Sequence, residues 1–242
     1  KKNEKYFFNT NIDINKNPIF ADILEYTKNK DVESILRLKG DYIKSKKIKF
    51  ESILYTENKN ILSIENLYLD NNFNILDLKK LKLNYFNNSK IKNQINIKKN
   101  NNNIKIYGKS LDVTKILDVI LNSDNETSKS LNFDNLKSNL SIKIEKTYLD
   151  KFEFVNNLIG NIDYKDSKID NLSLESSLPN NKKLILSIIT NKDDEKITTL
   201  FSDYPKPLVK RYKFVKGFEE GVLDFYSKKK DGKSKSVLKI DN

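Results

Sequence analysis

Two Gly-Lys-Ser triplets, at residues 108–110 and 232–234, are the motifs in this 242-residue sequence that resemble a phosphate-binding loop. Such a loop needs a further glycine five positions before the first one, so that its amides can wrap around phosphate. Those two positions hold Asn103 and Ser227. We therefore interpret the first triplet as a strand-to-helix turn and the second as a hairpin tip.

Carboxylates cluster at Asp163, Asp166 and Asp170, and again at residues 193–195. Neither cluster has the alternating spacing and central glycine of a calcium loop, so we interpret both as solvated turns. The sequence contains no Cys and no His, which removes the usual zinc ligands, thiol nucleophiles and histidine bases. We predict no enzyme, metal or cofactor; the enzymatic alternative would need converging carboxylates, with Asp163, Asp170 and Asp203 as candidates.

The formal net charge of +12 suggests a nucleic-acid partner. The chain, however, has 43 Lys against two Arg, with 34 Asn and one Ala, a pattern typical of codons that have drifted towards A and T. Arg is the residue that grips phosphates and reads bases, and no Arg-aromatic cluster occurs. We predict no nucleic-acid partner. The lysine run at residues 228–230 is interpreted as a charged hairpin end, with contact to anionic lipid headgroups as the lesser alternative.

Three segments are predicted to be helical. Residues 17–39 carry apolar side chains at three- and four-residue spacing, with Pro18 in the first turn, and a break at residues 29–31 suggests two short helices. Asp31 would cap the second of them. Further short helices are predicted at residues 111–122 and 205–212.

The rest of the chain after Gly40 alternates between apolar and polar residues with the two-residue period of half-buried strands. Because only six glycines are present, Asn is the best candidate for turn positions with positive φ. Asn pairs or runs separate the predicted strands, at residues 71–72, 87–88, 100–103, 156–157 and 180–181. This spacing predicts a meander of hairpins.

About a dozen amphipathic strands with few helices leave a wide apolar face that must be covered. It can close on itself as a sandwich or barrel, or it can curl into a trough that stays open to apolar ligands. Composition and periodicity do not choose between these two. A closed sandwich would make the protein a structural or interaction module of the cell envelope, with possible protein partners and no lipid cargo.

The carboxyl-terminal half resembles a known family. Residues 106–112, followed by a short predicted helix, are similar to the "G-x-S-hydrophobic-D then helix" segment of bacterial AsmA-like proteins, in particular the YhdP type related to TamB. The similarity extends over residues 104–242, although Tyr204-Pro205 and Glu220-Gly221 replace family glycines. Further similar segments lie at residues 140–145, 158–163, 201–203, 207–208, 220–225 and 237–241.

The spacing of apolar residues predicts a mainly β fold with a few short α-helices, and the resemblance implies that its long antiparallel meander is curled into a groove. We therefore expect a helical segment over residues 1–40 and a β-rich groove over residues 41–242, with a candidate sub-boundary in the loop 122–131, within a fragment of a longer protein. The resemblance implies that the protein is located in the periplasm and anchored to the inner membrane by a segment outside this chain. The ligand that it implies is phospholipid. The residues expected to line the groove are Leu140, Ile142, Ile144, Ile162, Leu172, Leu174, Leu184, Leu186 and Ile188.

Overall fold

The computed structural model describes residues 4–44, 47–116, 138–165, 168–212 and 220–241. The chain is mainly β with a few short helices, which confirms the predicted class. It forms two compact units, Lys1–Asn101 and Asn102–Asn242. The sequence analysis placed a boundary near residue 40, and its suggested division at residues 122–131 lies outside the described residues.

Unit 1 contains an open antiparallel sheet of six strands and a separate two-stranded ribbon. The sheet has the order β1-β4-β5-β6-β7-β8, and β2 pairs with β3 in the ribbon. A 3-10 turn, Asp22–Leu24, joins the ribbon strands. The strands of unit 1 are β1 Lys5–Asp13, β2 Ile19–Ala21, β3 Tyr26–Lys28, β4 Ser34–Ile43, β5 Lys47–Glu57, β6 Asn60–Asp70, β7 Ile75–Phe86 and β8 Lys92–Asn100.

The predicted helices over residues 17–39 are wrong. Residues 19–28 form the ribbon and its 3-10 turn, and residues 34–39 belong to β4. In β4, Leu36 and Leu38 alternate with charged residues, and they face Tyr55 and Ile53 on β5. Asp31 adopts a left-handed turn with φ of 65° rather than capping a helix. Pairing with neighbouring strands outweighed the weak local helical spacing.

Unit 2 contains an open sheet in the order β9 to β16. Its ladders are antiparallel except for the parallel pair β9–β10, which interrupts the predicted meander. A 3-10 turn, Pro179–Asn181, follows β12. The elements of unit 2 are β9 Asn103–Asp112, β10 Ser138–Tyr148, β11 Phe154–Lys165, β12 Lys168–Ser177, β13 Lys183–Thr190, β14 Lys196–Ser202, α1 Lys206–Tyr212, β15 Val222–Lys230 and β16 Lys233–Asp241.

Two of the predicted helices fall in unit 2. The prediction at residues 205–212 is confirmed by α1. At residues 111–122, Leu111 and Asp112 still belong to β9, residues 114–116 are helical, and the remainder lies outside the described residues. The Asp112 carboxylate accepts hydrogen bonds from the backbone N–H of Thr114 at 3.0 Å and from its hydroxyl at 2.6 Å, so it caps the helical turn.

Asn does supply many of the positive φ angles that the few glycines cannot. Asn58, Asn101 and Asn181 lie at connections with φ between 48° and 59°. Asn157, predicted as a turn, instead lies inside β11 with φ of 53°, where the register with β12 shifts. Near the other two predicted Asn turns, Phe73 and Lys90 adopt the positive φ. Asn is therefore a good marker of irregular backbone but a poor guide to whether it is a turn or a bulge.

The core of unit 2 lies at one end of its sheet. Leu149, Val155 and Leu178 form a buried cluster with Leu208 of α1. Leu184 and Leu200, on the neighbouring strands β13 and β14, pack against this cluster. Val209 of α1 is buried as well, so the helix contributes to the core at this end of the sheet.

Gly160 of β11 allows its neighbours to approach closely. It is opposed by Ile142 on one side and Leu174 on the other. A Cβ atom built on Gly160 would lie 2.0 Å from the Ser173 carbonyl oxygen and 2.7 Å from Cδ2 of Leu174. The Leu174 side chain thus occupies the space that a side chain at position 160 would need.

We predict that Gly160→Ala lowers the free energy of unfolding by about 1–3 kcal/mol, because backbone and Leu174 would have to move. Urea unfolding measures this change. Gly232→Ala is the control: no heavy atom lies within 4 Å of its Cβ position, so its cost comes only from its φ of 73°. A Gly160→Ala protein as stable as the original would contradict the close packing described here.

Candidate apolar binding face

All nine residues that the resemblance implied as groove lining lie on one face of the unit 2 sheet. Directly opposed residues in a ladder point their side chains to the same side. One row runs Leu140, Ile162, Leu172, Ile188, and a second runs Ile142, Gly160, Leu174, Leu186. Ile144, two residues after Ile142 in β10, and Leu184, two residues before Leu186 in β13, lie on the same face. We call this surface the unit 2 apolar face.

The same rows continue onto the flanking strands. The second row gains Ile106 on β9 and then Leu200, Phe225 and Leu238 on β14 to β16. The first row begins at Ile104 but ends in Thr198, Ser227 and Ser236. The second row is therefore aliphatic or aromatic across all eight strands, apart from Gly160.

The nine residues are not equally available. Ile144 is only 1% exposed and Leu172 only 8%, so protein atoms already cover them. Leu184 packs against the cluster that includes Leu208. The remaining six are half-buried: Leu140, Ile142, Ile162, Leu174, Leu186 and Ile188.

The opposite face of unit 2 is largely polar in the row behind these residues. Ser141, Asn161, Ser173, Ser187 and Thr199 follow one another across five strands. The Ser187 and Thr199 hydroxyls are hydrogen-bonded at 2.6 Å. This part of the sheet is thus apolar on one side and polar on the other, and a one-residue slip in register would exchange the two sides.

Among the described residues of unit 2, the extensive contacts between strands are those of ladder neighbours. The described strands belong to one sheet, so no second sheet lies across the apolar face within the described part of the unit. Helix α1 covers one end through Leu208. Among these residues, no second sheet or helix therefore lies over the middle rows, in which only Leu172 is buried.

Unit 1 has a second apolar face, which the sequence analysis did not single out as a site. Leu36, Tyr55, Leu62, Leu83 and Ile95 form one of its rows. The alternation in β6, β7 and β8 was a usable signal, but the expected helices hid the contribution of β4. We call this surface the unit 1 apolar face.

The ribbon of unit 1 forms a cavity with that face. The cavity has a volume of about 240 Å³. Ribbon residues Ile19, Leu24 and Tyr26 lie on one side, and Leu36 and Leu83 of the sheet lie on the other. Its lining is almost wholly apolar, so hydrocarbon rather than a charged ligand fits it best.

A cluster of polar side chains attaches the ribbon to the sheet. Tyr26 donates a hydrogen bond to the Glu57 carboxylate, and the Tyr26 and Tyr55 hydroxyls are 2.8 Å apart. Glu57 also accepts from Tyr55 at 3.3 Å and from the Asn60 amide at 3.0 Å. Tyr85 adds a hydrogen bond to the Leu24 carbonyl at 3.1 Å.

The environment of this cluster disfavours ionised phenols. Burial and the hydrogen bond to Glu57 raise the pKa of Tyr26 far above its usual value. Burial, together with the negative charge of Glu57, raises the pKa of Tyr55 to about 12, although its bond to Tyr26 acts in the other direction. Both tyrosines are therefore neutral at physiological pH. Their hydroxyl groups can donate the hydrogen bonds that attach the ribbon to the sheet.

The buried Lys28 serves the same segment. Its side chain is fully buried, and its ammonium donates to the carbonyl oxygens of Asn15, Asn17 and Asn29 at 2.8–3.2 Å. Three carbonyl acceptors match the three donors of an ammonium group. Lys28 thus holds together the loops on either side of the ribbon.

The motifs that could do chemistry are placed as follows. The triplet at residues 108–110 lies within β9 rather than in a turn, whereas the triplet at residues 232–234 begins at the tip of the β15–β16 hairpin, as predicted. Asp163 and Asp170 lie on neighbouring strands but are not directly opposed, since Asp163 faces Asn171, and Asp166 lies outside the described residues. Among described residues, no group of three or more His, Cys, Asp or Glu could hold a metal ion.

Comparison with known proteins gives no relative: neither a protein-family model, nor a curated protein, nor a solved structure matches the chain. In the part of the chain that the structure describes, no helix has both the length and the apolar character needed to cross a bilayer.

We predict that stability falls as pH rises from 10 to about 12. The unfolded tyrosines lose their protons near their ordinary pKa of 10.0, while the raised pKa of Tyr55 keeps it neutral in the folded state up to about 12. The contribution of Tyr55 to the free energy of unfolding is therefore fully present below pH 10 and is lost as pH rises through about 12. Urea unfolding across this pH range measures the effect.

Tyr55→Phe is the control for the general effect of alkali on the many lysines. This variant should show a shallower alkaline loss than the original protein, because one of the coupled phenols is gone. If the free energy of unfolding fell equally steeply with pH in both proteins, the raised pKa of Tyr55 would be contradicted.

Proposed function

We propose that the unit 2 apolar face binds the acyl chains of phospholipids. We further propose that the chain is a segment of a periplasmic, membrane-anchored bridge of the AsmA/YhdP-like type, which carries phospholipid between the inner and outer membranes. The observation that supports this best is the register, which gathers all nine expected lining residues on one face whose middle rows have no described layer over them.

The energetics of an acyl chain favour such a face. Removing each CH₂ group from water contributes about 0.8 kcal/mol, so a two-chain lipid cannot cross an aqueous gap unprotected. Adjacent strands are about 4.8 Å apart, so the eight strands of unit 2 extend over about 34 Å. The second row offers a similar apolar side chain on almost every strand, which would let a chain move without strong barriers.

The composition of the face suggests which part of a lipid it would recognise. Six half-buried residues of the middle rows are Leu or Ile, and none carries a charge that could pair with a headgroup. Binding would therefore select hydrocarbon and leave the headgroup in solvent. We propose that the site accepts phospholipids with little discrimination between headgroups.

A structural or interaction module of the envelope without lipid cargo is the second candidate. It is favoured by the end of the sheet where Ile144 is 1% exposed and where Leu208 packs into a conventional core. If the whole face were packed in this way, it would serve stability alone.

Leu174→Glu, or Leu186→Glu, separates these two functions. These residues are directly opposed in the second row and are half-buried. We expect either change to abolish phospholipid that co-purifies with the protein from bacteria, because a carboxylate disfavours hydrocarbon contact. Native mass spectrometry before and after organic extraction measures the bound lipid.

Ser173→Glu provides the matched control, since it places the same charge one residue away on the opposite, exposed face. It should retain lipid. Thermal unfolding of all the proteins completes the test. If Leu174→Glu loses more than about 3 kcal/mol of stability, as an unpaired charge in a closed core would, or if the original protein carries no phospholipid, acyl-chain binding is contradicted.

A further inference from the structure

The tip of the β15–β16 hairpin concentrates lysines that oppose one another. Lys228 is directly opposite Lys235, and Lys230 is directly opposite Lys233. Lys196 of β14 is opposite Lys229 in the same way. Only two other Lys–Lys pairs occur between the described strands, Lys80 with Lys98 and Lys165 with Lys168. Most of the directly opposed like charges are therefore gathered at one hairpin.

Directly opposed like charges destabilise a sheet unless an opposite charge is close. In unit 1, Glu65 lies 2.5 Å from the ammonium of Lys80 and offsets the pair with Lys98. At the hairpin, Glu195 reaches Lys228 at a longer distance of 3.4 Å. Residues 226–239 contain six Lys and one carboxylate, Asp231, and the adjacent turn adds Asp193 and Asp194. A net positive charge remains on the hairpin.

Exposed apolar side chains lie directly beside these lysines. Tyr226 and Val237 are directly opposed to each other, and this pair is next to the Lys228–Lys235 pair on the same face of the hairpin. Their exposures are 38% and 46%, and Leu238 on the other face is 39% exposed. Aromatic and aliphatic side chains flanked by lysines are typical of surfaces that lie at the boundary of a bilayer.

We propose that the β15–β16 hairpin binds the surface of a membrane rich in anionic lipids. The lysines pair with headgroup phosphates, which relieves their mutual repulsion, and Tyr226 and Val237 enter the interfacial region. A membrane fits better than a nucleic acid because the hairpin has no Arg to grip phosphates in a bidentate manner. The face used here is opposite to the unit 2 apolar face, so this inference does not depend on acyl-chain binding.

The test uses vesicle co-sedimentation of the 242-residue protein and a variant with Lys228, Lys230, Lys233 and Lys235 changed to Gln. The vesicles are phosphatidylcholine alone or with about 30% phosphatidylglycerol, a composition for which each lysine near the surface adds appreciable attraction. We expect binding to the anionic vesicles only, weakened more than about tenfold in the variant. About 1 M salt should abolish it, since the Debye length is then about 3 Å.

The control variant changes four other exposed lysines, Lys59, Lys98, Lys105 and Lys109, to Gln. It has the same net charge as the hairpin variant and should bind anionic vesicles like the original protein. Equal weakening in both variants would show that only total charge matters and would overturn the proposal. Absence of vesicle binding, or hairpin-dependent binding of a single-stranded oligonucleotide in its place, would overturn it as well.

Two further readouts separate this inference from the others. The hairpin variant should unfold at the same temperature as the original protein or a higher one, because like-charge pairs have been removed; a lower temperature would show that the lysines stabilise the hairpin and would count against the proposal. It should also retain co-purified phospholipid. Loss of vesicle binding with retained lipid distinguishes hairpin docking from acyl-chain binding.

Discussion

A β-ladder directs the side chains of opposed residues to the same side, and this constraint governs both units. Once the register of β10 to β13 is set, Leu140, Ile162, Leu172 and Ile188 must share a face, and Ser141, Asn161, Ser173 and Ser187 must share the other. An apolar face of this width must be covered by protein or by another apolar partner. The account of function depends on which of the two covers its middle rows.

Different elements cover part of the apolar face in the two units. In unit 1, the ribbon between β1 and β4 lies against the sheet, attached by the Tyr26–Tyr55–Glu57 cluster and held together by the buried Lys28. In unit 2, helix α1 contributes Leu208 to a small core beside Leu184 and Leu200. Both coverings are local. Each leaves rows of half-buried Leu and Ile in its own sheet.

Alternation of side chains was enough to predict β5 to β13, β15 and β16, because side chains two residues apart in a strand lie on the same face of the sheet. It did not identify β1, β4 or β14. It failed for residues 17–39, where Ile19, Ile23 and Leu24 suggested a helical stripe although the segment is a ribbon with a 3-10 turn. Local spacing carries no information about the sheet on which that ribbon packs. The Tyr26–Tyr55–Glu57 cluster was missed for the same reason, since its members are brought together only by long-range contacts. The hairpin lysines were visible as a run, but only the register shows that they oppose one another.

Photo-crosslinking at adjacent positions of β13 tests the central claim most directly. A photoreactive amino acid at position 186 faces the apolar side, and one at position 187 faces the polar side, as the register with β12 and β14 requires. After irradiation in bacteria, mass spectrometry would identify what each position captures. The account predicts phospholipid acyl chains attached at position 186 and none at position 187. Crosslinks from position 186 only to other residues of the same chain would contradict it.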